Sequence, residues 1–116
     1  MHAIDVWLNF HQEVVDARLL SHLSALLSED ERRQQTRFHL ADDRLRYLLT
    51  RAMVRTVLSR HAAVDPADWA FTVNAYGRPE IANPHPDART LRFNVSHTRG
   101  LIALAVSRER EVGVDV

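Results

Sequence analysis

The chain contains no cysteine, so disulfides, thiolate metal ligation and a cysteine nucleophile are excluded at the outset. Glycine and proline are scarce, 3 and 4 residues among 116, which rules out collagen-like or low-complexity character. Neither charge sign is in excess, since Lys+Arg and Asp+Glu both total 15. Without a global field the chain has no bulk attraction for nucleic acid or an anionic membrane, and any polyanion site must be local. No apolar run is long enough to cross a bilayer, and the opening "MHAIDVWLNFHQE" has polar breaks where a secretory signal needs an apolar core. The expectation is a cytoplasmic protein with no nucleic-acid or membrane partner. With 46% hydrophobic and 26% charged residues, the composition is that of one globular domain over residues 1–116.

Hydrophobic periodicity changes along the chain. Ile4, Val6, Leu8 and Phe10 alternate with polar or amphipathic neighbours, the period of a half-buried strand. Leu19, Leu20, Leu23, Leu26 and Leu27 recur at spacings of three and four and predict an amphipathic helix ending near Ser28. In "SEDERRQQTRF", Ser28 can cap a second helix while Glu31 reaches back to its N–H. The stretch from Leu40 to Ala62 places Leu45, Leu48, Leu49, Ala52, Met53 and Val57 on one stripe, with Arg44, Arg51 and Arg55 off it, and predicts the longest helix. Trp69, Phe71 and Val73 then alternate before a turn at "NAYGRPE". The two prolines of "IANPHPDARTL" predict a loop, and "LRFNVS", "LIALAVS" and "EVGVDV" read as three short antiparallel strands. One strand, then helices, then a run of strands makes the fold class α+β.

Taken singly, the chemistry-bearing residues are weak signals. Adjacent side chains on an extended segment point to opposite faces, so Ser96 and His97 are badly placed as a nucleophile and base, and no G-x-S-x-G elbow is present. Asp115 in "GVDV" offers one carboxylate to a hard cation, and Arg78 in "YGRPE" sits where Gly77 and Pro79 could position a guanidinium for phosphate. The histidines show no metal-ligand spacing.

In combination they say more. "SEDERRQQTRF", "ADDRLRYLLTRAMVRTVLS", "YGRPEI", "FNVSHT" and "GVDV", in this order, resemble the N-terminal half of an Sfp-type 4'-phosphopantetheinyl transferase. That resemblance implies one half of a pseudo-two-fold fold and a Mg2+-dependent transfer of 4'-phosphopantetheine from coenzyme A to a serine of an acyl or peptidyl carrier protein. It implies that Arg46, Arg78, Ser96 and His97 contact the phosphate-bearing end of coenzyme A. Asp115 is implied as the first magnesium ligand, and His97 and Asp115 as the catalytic pair. Glu31 and Gln34 stand where the family often carries basic residues, leaving Arg32, Arg33 or Arg37 as substitutes.

The acidic residue that the family carries two positions beyond the aspartate would fall at 117. The expectation is therefore a truncated or shortened chain, inactive by itself and able to pair with a second copy. The alternative is a non-catalytic half-domain that binds nucleotide or carrier protein.

Overall fold

The alternating residues near the N-terminus and the apolar runs near the C-terminus meet in one sheet. The computed structural model describes residues 4–9, 16–98 and 100–108. Strand β1 (Ile4–Asn9) and strand β4 (Leu91–Thr98) flank the central strand β5 (Leu101–Arg108), both antiparallel to it. Gly100, just before β5, has φ 81°, a backbone conformation that glycine adopts without steric cost.

Register fixes the two faces. Trp7, Leu104 and Val95 lie opposite one another across the three strands, as do Leu8, Ala103 and Ser96. Alternation then sends Ile102, Leu104 and Val106 to one face and Ala103, Ala105 and Ser107 to the other. All six are buried.

The first face receives helix α3 (Ala41–Leu58), whose Val54, Val57 and Leu58 join Trp69, Leu91, Leu104 and Val106 in the main core. Further up the same helix, Leu48 and Ala52 pack with Leu27, and with Leu20 and Leu23 from helix α1 (Ala17–Ser24) and the half-buried Tyr47. Helix α2 (Glu29–Thr36) starts as expected, with Ser28 Oγ accepting from the Glu31 N–H at 3.2 Å and Glu31 Oε1 accepting from the Ser28 N–H at 2.8 Å. After a 3-10 turn at Pro66–Asp68, strands β2 (Phe71–Val73) and β3 (Pro79–Ile81) form a separate hairpin.

Three expectations are corrected. Val6 and Leu8, expected on the buried side of β1, are exposed, because the register with β5 sets Trp7 beside Leu104 and against the main core. The segment read as a loop contributes Ile81 to β3 and then one helical turn, α4 (Pro86–Arg89), because Pro86 occupies the first helical turn, where it costs no hydrogen bond, and the His85 ring accepts from the Asp87 N–H at 3.2 Å. Arg55, assigned away from the apolar stripe, is buried at 2% exposure. The third C-terminal strand, "EVGVDV", lies outside the described residues, as does Asp115.

Candidate functional site

Arginine is the cation of this chain, and its partners sort the arginines into two groups. Arg55 donates from Nε to Glu31 Oε1 at 2.8 Å and from Nη1 to the carbonyls of Pro66 and Trp69 at 3.0 and 2.8 Å. Arg51 donates to Glu31 Oε2 at 2.6 Å. Both guanidiniums also lie over the Phe71 ring, 4.9 Å from its centroid for Arg51 and 5.4 Å for Arg55. Burial by itself would raise the Glu31 pKa, but the Ser28 N–H and the two guanidiniums outweigh it and hold the carboxyl below its ordinary value. This buried cluster ties α2 to α3 and to the start of β2.

Other arginines serve as helix and loop fasteners. Arg32 donates to the carbonyls of Ser24 and Ala25, closing the open end of α1, and Arg44 holds the carbonyls of Phe38 and His39 at 2.9 Å each. Arg33 pairs with Asp30 on the surface, and Arg46 pairs with Asp43 at 3.1 Å in the first turn of α3. Of the three cations weighed as substitutes on α2, Arg32 and Arg33 thus have partners within the fold.

The second group lines a cleft of about 710 Å3 between the β2–β3 hairpin and β4. One wall consists of residues 74 and 77–84, and the other of residues 89 and 91–95. Arg78 is on the first wall, and Arg89 and Arg92 are on the second. The turn that presents Arg78 is built by Asn74, whose Oδ1 accepts from the N–H groups of Tyr76 and Arg78 at 2.9 and 3.0 Å. Gly77 completes it at φ 80°, where a Cβ would meet nothing within 4 Å, so it is the dihedral and not space that calls for glycine.

Sequence reasoning found Arg78 but missed Arg89 and Arg92, because the second wall exists only after β4 folds beside the hairpin. The one local signal was the spacing of two arginines either side of "TL". Ser96 and His97 follow the second wall along β4 and are outside the cleft lining. Ser96 shares the face of Ala103, and His97 that of Ile102. The two side chains therefore diverge, as the extended-strand argument expected. Arg46 lies on α3 and does not line the cleft. Among the described residues no group of three or more His, Asp or Glu is placed to hold a metal ion, and no helix is long and apolar enough to cross a membrane.

Comparison with known proteins is specific. The family described as 4'-phosphopantetheinyl transferase, N-terminal, matches residues 15–109, a span that includes Arg46, Arg78, Ser96 and His97 but not Asp115. The chain is 31% identical over 97 residues to the 4'-phosphopantetheinyl transferase HetI of Nostoc sp., covering 84% of this chain and 40% of that protein. It is 35% identical over 94 residues to a phosphopantetheinyl transferase of Thraustochytrium sp., covering 81% and 32%. To the 4'-phosphopantetheinyl transferase Sfp of Bacillus subtilis it is 32% identical over 92 residues, covering 79% and 39%. The chain thus spans about two fifths or less of the length of these relatives.

Proposed function

The chain belongs to the 4'-phosphopantetheinyl transferase family, whose N-terminal region it matches, and from that premise we propose that it supplies the coenzyme A-binding half of a phosphopantetheinyl transfer site. In this reading a serine hydroxyl of an acyl or peptidyl carrier protein attacks the β-phosphorus of coenzyme A. The new bond is serine oxygen to phosphorus, and the bond to the bridging oxygen breaks. Adenosine 3',5'-bisphosphate leaves, and the serine proton passes to a base outside this chain. The chain's own contribution is to bind and orient the phosphates, which forked guanidiniums do well because they meet phosphate oxygens in pairs.

The observation that carries the reading is the cleft with Arg78 held on its rim by the Asn74–Gly77 turn, within a chain of this family. Ser96 and His97, at the end of the strand forming the other wall, are proposed as further contacts to the ligand, with His97 acting in catalysis. Arg46 is proposed as a phosphate contact that must first leave Asp43. The magnesium requirement rests on Asp115 alone. The Asp115 carboxylate would offer an oxygen to the ion, which when bound would neutralise phosphate charge. The cytoplasm, where coenzyme A and apo-carrier proteins meet, is the proposed location.

Val6 and Leu8 are 56% and 57% exposed on β1, on the face shared with Ala103 and Ala105. We read that face as an interface, filled by the rest of a longer enzyme or by a second copy of the chain.

The test is calorimetric titration of the 116-residue chain with coenzyme A, alongside intact-mass analysis of an apo-carrier protein incubated with both and Mg2+. Coenzyme A should bind, Arg78→Ala should weaken it about tenfold, the loss of one charge-assisted pair, and the carrier mass should stay unchanged. No binding by the intact chain would overturn the reading, and transfer at an enzyme's rate would overturn the division of labour. Light scattering on the same sample should show more than a monomer at high micromolar concentration, and a clean monomer would remove the second-copy pairing.

A further inference from the structure

The asparagines of the cleft are already engaged. Asn74 uses its Oδ1 on the turn and donates from Nδ2 to Glu80 at 2.8 Å. Asn83 accepts from the Ala70 N–H at 2.7 Å and donates to the Asp68 carbonyl at 2.8 Å. Asn74 thus braces the hairpin turn and Asn83 holds the hairpin to the 3-10 turn, and both amides have little left for a ligand. The arginines differ. Arg92 donates from one nitrogen, Nη1, to the carbonyls of Arg89 and Leu91, both at 2.9 Å. Those bonds fix the plane of its guanidinium and leave Nη2 and Nε available to an incoming group. Arg89 is exposed, and its guanidinium has no hydrogen bond or ion pair among the described residues. Glu80, the one carboxylate on the lining, accepts from Asn74.

We propose that Arg89 and Arg92 form a second anion anchor on the β4 wall of this cleft, so that the cleft takes a ligand with two separated anionic groups, one met by Arg78 and the other by this pair. The proposal rests on the transferase reading only for the identity of the ligand. Its physical basis is the excess of cations over carboxylates on the two walls, where Arg78, Arg89 and Arg92 face a lining that carries Glu80. Ile81, Leu91, Phe93 and Val95 add apolar surface to the same lining. A pre-oriented guanidinium also loses less side-chain freedom per bond formed.

The experiment titrates the 116-residue chain with two probes, inorganic pyrophosphate and coenzyme A, by calorimetry. Arg89→Ala is the decisive variant, because its side chain holds no part of the scaffold, and circular dichroism should show it folded. We expect it to weaken both probes at least fivefold. Its loss should multiply with that of Arg78→Ala for coenzyme A, as independent sites require. If both probes bind Arg89→Ala as they bind the parent, the second anchor is wrong while the coenzyme A reading stands. If the losses for coenzyme A do not multiply, the claim of two separate anchors is overturned. If pyrophosphate binding depends on Arg89 but coenzyme A does not bind the parent, the anchor stands and the transferase reading falls. Binding of neither probe to the parent overturns both.

Discussion

Arg55 and Arg89 carry the same side chain, yet the first is 2% exposed and fully partnered while the second stands open on a cleft wall. The difference is set by what each meets after folding. Arg55 reaches Glu31, 24 residues away, together with two carbonyls that would otherwise lack donors, and so its charge is consumed inside the protein. Around the hairpin the supply differs, because the amides of Asn74 and Asn83 serve the backbone and Glu80, Arg92 spends one nitrogen on two carbonyls, and Arg89 has no partner among the described residues. A local crowd of arginines is therefore a poor guide to an anion site. What counts is whether carboxylates and carbonyls within reach have already claimed them.

The comparison breaks most visibly at Arg55. Arg55→Ala would leave Glu31 with one guanidinium fewer in a buried setting and two carbonyls without a donor. The expected loss is about 3–5 kcal/mol, a large share of the 5–15 kcal/mol typical of a whole domain. Urea unfolding should show it directly. A loss under 1 kcal/mol would mean that water or Arg51 takes over the site and that the buried group is not what joins α2 to α3.

A second and smaller effect comes from pH. The Glu31 pKa is lower in the folded chain than the ordinary value of 4.5. A depressed carboxyl contributes stability that is complete above its unfolded pKa and is lost as pH falls through the folded one. Stability of the parent chain should thus decline below about pH 4.5, and Glu31→Gln, though less stable at neutrality, should lose that part of the slope. Parallel melting curves between pH 3 and pH 7 decide it. Identical slopes in the two proteins would take Glu31 out of the acid transition.

How far the sequence could be read follows the reach of each interaction. The Ser28–Glu31 capping box was legible because both partners lie within one turn. Alternation located β1 but not its buried face, since the long-range pairing with β5 turns Trp7 to the core and leaves Val6 and Leu8 exposed, whereas the Arg78 turn was legible from Gly77 and its neighbours. Arg55 was misjudged because helix periodicity sees only the helix's own stripe. Yet two like charges four residues apart destabilise a helix unless something lies between them, and Glu31 is that something. Arg89 and Arg92 were missed because no local pattern announces a wall made by strands meeting at long range. The short α4 hid behind prolines that read as a loop, though one of them opens the helical turn.

The smallest expected effect sharpens the comparison from its other side. Arg33 is a charged neighbour of the buried cluster in sequence but not in environment, since its side chain is 70% exposed and that of its partner Asp30 is 85% exposed. Water screens such a pair, holding two mobile side chains together costs entropy, and added salt weakens what remains. Arg33→Ala should therefore change stability by less than about 0.5 kcal/mol. That change should shrink further in high salt, and coenzyme A affinity should stay at the parent value. Urea unfolding at low and high salt, with a titration on the same protein, supplies all three numbers. A stability loss above about 1 kcal/mol would show that exposed arginines of α2 also hold the fold, against the exposed-pair range. A loss of coenzyme A affinity would move Arg33 into the ligand-facing group and extend the anion site from the hairpin cleft onto α2.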